Sequence, residues 1–165
     1  MQAGETYPLV LFIHDMGSCS EDVTRTLTQG KGATVWATSY WQNRQPCFVL
    51  APCYPRQAAD DDFQVTWEAD ATVELVKEVL RLQPSVDEKR IYGTGQSMGC
   101  MMLMELMLRN PGFFGGCFLV AGQWNPQTCG ALKMKYLGTL ISEKDFKCIF
   151  PLSGELHEAD RSERW

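Results

Sequence analysis

The sequence predicts an α/β fold: a mainly parallel sheet of about five strands with helices on both faces. Three observations carry that expectation. Short, near-continuous apolar runs recur along the chain, as strands covered on both faces require. Segments of helical periodicity fall between them, and this alternation marks parallel strands joined by right-handed crossovers. The 165 residues are 45% apolar and 21% charged, an ordinary globular composition, so residues 1–165 read as a single domain with one core.

The first apolar run, residues 9–13, is Leu-Val-Leu-Phe-Ile and stops at His14-Asp15. Ser18-Cys19-Ser20-Glu21 has capping-box spacing and predicts the start of a short helix. Trp36, Tyr40 and Trp41 are expected to pack such a short helix rather than to bind a ligand. Residues 47–51 form the second run, bounded by Pro46 and Pro52. The stretch 54–64 carries Asp60-Asp61-Asp62, read as a solvated turn, with a metal site as the unsupported alternative. Ala69, Val73, Val76 and Leu80 repeat at four, three and four. They paint one helical face, while Glu74, Lys77, Glu78 and Arg81 take the other. Pro84 ends that helix. Residues 90–94 are a weaker strand, with Asp87-Glu88 as a solvated turn before it. From Ser97 to Arg109 the chain holds five methionines and three leucines, so this helix is apolar nearly all round and belongs at the centre. Asn110-Pro111-Gly112 stops it. Residues 117–120 and 136–142 complete the strands.

Charge and composition exclude several function classes. Fifteen basic against twenty acidic residues give a net charge of −5 with no basic block, which argues against nucleic acid as a partner. No apolar run reaches the length of a membrane span, so no membrane partner is expected. The opening residues lack a basic n-region and an apolar h-region, so no signal peptide is expected. The seven cysteines form neither CxxC nor zinc spacing, and several sit in apolar runs. They read as reduced, buried small residues in a cytoplasmic protein.

The chemistry lies in Gly95-Gln96-Ser97-Met98-Gly99, which matches G-x-S-x-G. A bare match is weak, but this one follows a predicted strand and opens a predicted helix, the setting of a nucleophile elbow. In so tight a turn the serine is backbone-strained and its hydroxyl sits at the tip, while Gly95 and Gly99 avoid collision with neighbouring backbone. The helix N-terminus beneath favours negative charge, and the Met98 N–H points where an oxyanion would form. The alternative is a Gly-rich turn that only lets a helix pack closely. A second piece is the run 9–13 ending in His14-Asp15-Met16-Gly17, where a loop could bring another N–H to that oxyanion.

Together these stretches resemble the α/β-hydrolase superfamily. The likeness is to its bacterial esterase branch, near the polyhydroxybutyrate-depolymerase-like and prolyl-oligopeptidase-like hydrolases. Residues 7–14, 46–52, 86–92 and 95–99 carry it, and it extends from about residue 7 to residue 145. The resemblance implies that residues 9–13, 47–51, 90–94, 117–120 and 136–142 are the third to seventh strands of that fold. It also implies that the strand of residues 9–13 lies between those of residues 47–51 and 90–94. It further implies Ser97 as nucleophile, the N–H groups of Met16 and Met98 as oxyanion donors, and an acid after the seventh strand. Ser142-Glu143-Lys144-Asp145 resembles the family's small-Glu-x-Asp stretch, which implies Asp145 as that acid and Glu143 as fallback, a solvated aspartate among charged neighbours being the alternative. No metal or organic cofactor is implied.

The triad's histidine is harder to place. The chain holds only His14 and His157. His14 belongs to the oxyanion loop in the family pattern. His157 lies twelve positions beyond Asp145, too few for the crossover helix and eighth strand that precede the family's histidine. Residues 146–165 show no helical period, and no first two strands precede residue 7. The chain is therefore expected to be an incomplete hydrolase domain, with an exposed sheet edge open to self-association.

The carboxyl ends of the parallel strands offer Cys53, Tyr54, Gln123 and Trp124 as pocket candidates, with Tyr54 and Trp124 as substrate-binding residues. For Trp124, packing on the sheet edge is the alternative. The expected function is hydrolysis of a small-molecule carboxylic ester by Ser97. The alternatives are a catalytically impaired scaffold lacking the triad histidine and a prolyl-oligopeptidase-type peptidase.

Overall fold

The computed structural model describes residues 4–132 and 136–140. Five parallel strands form its single sheet: β1 (Tyr7–Ile13), β2 (Phe48–Leu50), β3 (Val86–Gln96), β4 (Gly116–Val120) and β5 (Leu137–Leu140). Their order across the sheet is β2-β1-β3-β4-β5. β1 pairs with β2 through Leu9–Phe48 and Leu11–Leu50, and with β3 through Leu9–Ile91 and Ile13–Gly95. The strand of residues 9–13 therefore lies between the other two, as its place in the resemblance implied.

The physical reason for that centre is visible in β1 itself. All seven of its residues are buried, because the strand has neighbours on both edges and cover on both faces. Leu9, Leu11 and Ile13 face α2 (Glu68–Leu82) and α3 (Met98–Arg109) in one core cluster with Val73, Val76, Met102 and Leu103. Helix α2 buries Ala69, Val73 and Val76 and leaves Glu74, Lys77 and Glu78 in solvent, the amphipathic split its spacing predicts. Helix α3 instead buries Met98 through Met104, Leu106 and Met107, because it is wedged between sheet, α2 and loops.

The other face of the sheet is covered by the segment between β1 and β2. It contains a 3-10 turn, Thr34–Ala37, and the short α1 (Ser39–Gln42). Trp36 and Trp41 meet at a tilt with ring centroids 5.5 Å apart, and Tyr40 meets Trp41 edge-on at 5.4 Å. Helical elements thus lie on both faces. Trp36 and Trp41 do pack a short helix, and they also border a groove of about 930 Å³ with Val10, Tyr92, Phe118 and Tyr136. A last short helix, α4 (Pro126–Cys129), is capped by the Asn125 side chain, which accepts from the Gln127 N–H at 3.0 Å.

Two sequence expectations change. The helix predicted to start at Ser18–Cys19–Ser20–Glu21 does not form there; a 3-10 turn, Met16–Ser18, ends at Ser18, turns follow, and a short 3-10 helix spans Arg25–Thr28. The Ser20 hydroxyl accepts from the Asp22 N–H, and Asp22 Oδ1 accepts from both the N–H and hydroxyl of Thr24. These local side-chain bonds satisfy the backbone in turns and compete with the helix. The strand before the serine motif is also longer than predicted, running from Val86, so Asp87 and Glu88 stand in its first residues rather than in a preceding turn. Asp60 behaves as the turn residue expected, its Oδ1 accepting from the N–H groups of Asp62 and Gln64. No helix among the described residues is long and apolar enough to cross a membrane.

Candidate active site

Ser97 sits between the last residue of β3 and the first of α3, with φ 51° and ψ −114°. A non-glycine residue in that region costs about 1–3 kcal/mol, which the surrounding structure must outweigh. Two backbone bonds hold it there. The Ser97 N–H donates to the Val120 carbonyl at 2.9 Å, tying the turn to β4, and the Ser97 carbonyl accepts from Met101 at 3.1 Å. The side chain remains half-exposed at the carboxyl end of the sheet.

The glycines around it are required by contact. A Cβ on Gly95 would lie 2.6 Å from the Gly99 carbonyl. One on Gly99 would lie 2.0 Å from the Ile13 oxygen and 2.9 Å from the His14 oxygen. The end of β1 therefore rests directly on the first turn of α3. Gly122, which the sequence did not single out, completes the packing: its Cβ would meet Cys100 Cβ at 2.2 Å and the Ser97 oxygen at 3.1 Å. The only hint of it in the sequence is the small pair Ala121-Gly122 after an apolar strand.

That contact brings the loop after β1 to the serine. Asp15, extended at φ −76° and ψ 171°, leads into the 3-10 turn of Met16–Ser18. Its own N–H is engaged by Gln29 Oε1 at 2.7 Å, a partner that no local pattern announces. Met16 is the next residue along and the first of that turn. On the other side the Met98 N–H lies in the first turn of α3, where N–H groups have no acceptor within the helix. The Met98 N–H thus lies at the positive end of a helix dipole, and Met16 opens the turn that follows β1. The Met98 side chain is buried, and its sulfur accepts from the Ala58 N–H at 3.3 Å, pinning the loop after β2.

His14 is fully buried and both ring nitrogens are occupied. Nε2 accepts from the Tyr54 N–H at 2.9 Å, which leaves the ring proton on Nδ1 to donate to the Asp15 carbonyl at 2.6 Å. His14 therefore joins the ends of β1 and β2, and its one unprotonated nitrogen is already taken by the Tyr54 N–H. No other histidine occurs among the described residues. Ser142, Glu143, Asp145 and His157 lie outside them.

Tyr54 and Trp124 are both buried. The Tyr54 hydroxyl shares a 2.7 Å hydrogen bond with Thr72, and burial pushes its phenol well above the ordinary range. Trp124 donates from Nε1 to Glu105 at 3.2 Å and meets Phe63 edge-on at 5.7 Å. Of the strand-end residues, Cys53 and Gln123 are the partly exposed ones, and Gln123 donates to Asp61 at 2.8 Å. Among the described residues no group of three or more His, Cys, Asp or Glu side chains could hold a metal ion.

No family model and no curated protein matches the sequence. Solved structures do. A thermostable esterase superposes with a TM-score of 0.76 at 26% identity, over 83% of this chain and 39% of the esterase. S-formylglutathione hydrolase from Staphylococcus aureus gives a TM-score of 0.55 at 14% identity, over 81% of this chain and 50% of that one. A fluorophosphonate-binding serine hydrolase from the same organism gives 0.54 at 16%, over 80% and 49%. The last two likenesses are of fold alone. The chain spans about two fifths of the esterase and half of the other two.

Proposed function

The chain belongs to the α/β-hydrolase superfamily, and on that footing we propose that it is a serine hydrolase of carboxylic esters with Ser97 as its nucleophile. The observation that carries this reading is the strained backbone of Ser97 at the strand-to-helix turn, with the β1 loop packed against the same turn. Strain of this kind gathers at functional sites, where surrounding packing over-determines it. In the proposed reaction Ser97 Oγ attacks the ester carbonyl. The carbonyl oxygen, now negative, accepts from the N–H groups of Met16 and Met98 in a site that needs no reorganisation. The alcohol leaves, and water releases the acyl group from Ser97 in a second attack.

Both steps need a base. Asp145 is the proposed acid that orients it. With His14 committed to Tyr54 and Asp15, His157 is the remaining histidine of the sequence and the one to test, although its spacing from Asp145 does not match the family's route. A second reading, binding of esters without turnover, draws its support from that same commitment of His14. The chemistry asks for no cofactor. A cytoplasmic setting fits the six described cysteines, four of them buried.

The test is ester hydrolysis and fluorophosphonate labelling of the wild type, Ser97→Ala and His157→Ala, with peptide substrates alongside. A slow wild-type rate abolished by Ser97→Ala, with labelling at Ser97, is the expected outcome. A rate that His157→Ala also abolishes assigns the base. Hydrolysis unchanged in Ser97→Ala refutes the proposal. Binding without turnover or labelling supports the second reading.

A further inference from the structure

Of the six described cysteines, Cys47, Cys100, Cys117 and Cys129 are buried, while Cys19 and Cys53 are partly exposed. These two come from opposite sides of one junction, where the loop after β1 meets the loop after β2. Cys19 closes the 3-10 turn that begins at Met16, its N–H donating to the Met16 carbonyl at 3.2 Å. Cys53 follows β2. The next residue in each segment joins them, Ser20 N–H donating to the Tyr54 carbonyl at 3.0 Å. The Cys53 sulfur approaches the carbonyls on either side of Cys19, 3.8 Å from Ser18 O and 3.5 Å from Ser20 O. One sulfur is thus held against the backbone that carries the other.

We propose that Cys19 and Cys53 form a redox-active dithiol beside the oxyanion loop, closed to an intrachain disulfide by exchange with a small-molecule disulfide. The thiolate of Cys53 attacks one sulfur of the reagent, forming a mixed disulfide and releasing one thiolate. The Cys19 thiolate then attacks the Cys53 sulfur and releases the second. Two protein thiols lose two electrons, the reagent's S–S bond gains them, and the two thiol protons leave on the released small thiols. The order of attack follows from the surroundings. Burial raises the Cys19 thiol above its usual range, and the neighbouring Cys53 and Asp15 add to this, so Cys19 is the poorer first nucleophile. It becomes the resolving thiol because the mixed disulfide forms against its own backbone.

The experiment incubates the full-length reduced protein with oxidised glutathione under native conditions, alkylates it, digests it with trypsin and reads the peptides by mass. Its readout does not depend on esterase activity. The expected product joins residues 1–25 to residues 45–56. Because Cys47 shares the second peptide with Cys53, fragmentation must place the bond at Cys53. Cys53→Ser is expected to lose the cross-linked product, and Cys19→Ser to accumulate glutathione on Cys53. Circular dichroism on both variants confirms that they fold. No cross-link in folded wild-type protein, or a bond from Cys53 to any other cysteine, overturns the proposal.

Discussion

Replacing Gly99 by alanine tests the contact on which the whole site rests. The added Cβ would stand 2.0 Å from the Ile13 oxygen, 2.6 Å from its carbon and 2.9 Å from the His14 oxygen. All three atoms are backbone, so no side chain can swing away. Either β1 or α3 must move by more than an ångström, and both are anchored: β1 is buried along its length and α3 packs in the core. Overpacking a core by a methyl group typically costs about 1–3 kcal/mol, and an immovable backbone puts this case at about 3 kcal/mol or more. Alanine's better helix propensity returns at most about 1 kcal/mol. For a chain of this size the net loss lowers Tm by roughly 4–12 °C. Gly130→Ala is the matched control, since nothing lies within 4 Å of its Cβ position and its φ is −61°. There the restricted unfolded chain should raise stability by about 0.4–1 kcal/mol. Thermal and urea unfolding of wild type and both variants are the assay. If Gly99→Ala melts with the wild type, the end of β1 does not bear on the first turn of α3, and the assembly of the site from that contact is wrong.

Other expectations follow from the same geometry. Met16→Pro removes one proposed oxyanion donor at the first position of a 3-10 turn, where proline is tolerated and Asp15 is already extended. Ester hydrolysis should fall about 10²–10³-fold with Tm little changed, and equal rates would dismiss the Met16 donor. His14→Ala leaves the Tyr54 N–H without its acceptor and opens a cavity, so unfolding should cost about 2–4 kcal/mol less. A fully stable variant contradicts the bridging role. Burial pushes the Cys117 thiol up to about 12 from 9.0. The unfolded thiol ionises first, so this residue's contribution is complete below pH 9 and is lost as pH rises from 9 towards 12. Its slope is at most about 1.4 kcal/mol per pH unit. Cys117→Ala should therefore show a shallower decline in Tm over that range, and parallel curves would count against the burial effect.

Much of the fold was legible in the order of residues because its signals are local. The apolar run of residues 9–13 announces a strand covered on both faces. The four-three-four spacing from Ala69 to Leu80 announces a one-faced helix, and the methionines after Ser97 announce one buried all round. The serine turn could be read for the same reason: its glycines, its preceding strand and its following helix lie within twenty residues. What the sequence by itself determined was thus the elements, their alternation and the strained serine between two of them. Tertiary structure decided the rest, because those contacts join residues far apart in the chain. It set Gly122 against Cys100 and Ser97, and Gln29 on the Asp15 N–H. It turned the spacing at Ser18 into local turns rather than a helix. It also took His14, a polar residue at a strand end, and buried it between Tyr54 and Asp15. A histidine's role depends on which atoms meet its two nitrogens, and those atoms are chosen only when the strands come together.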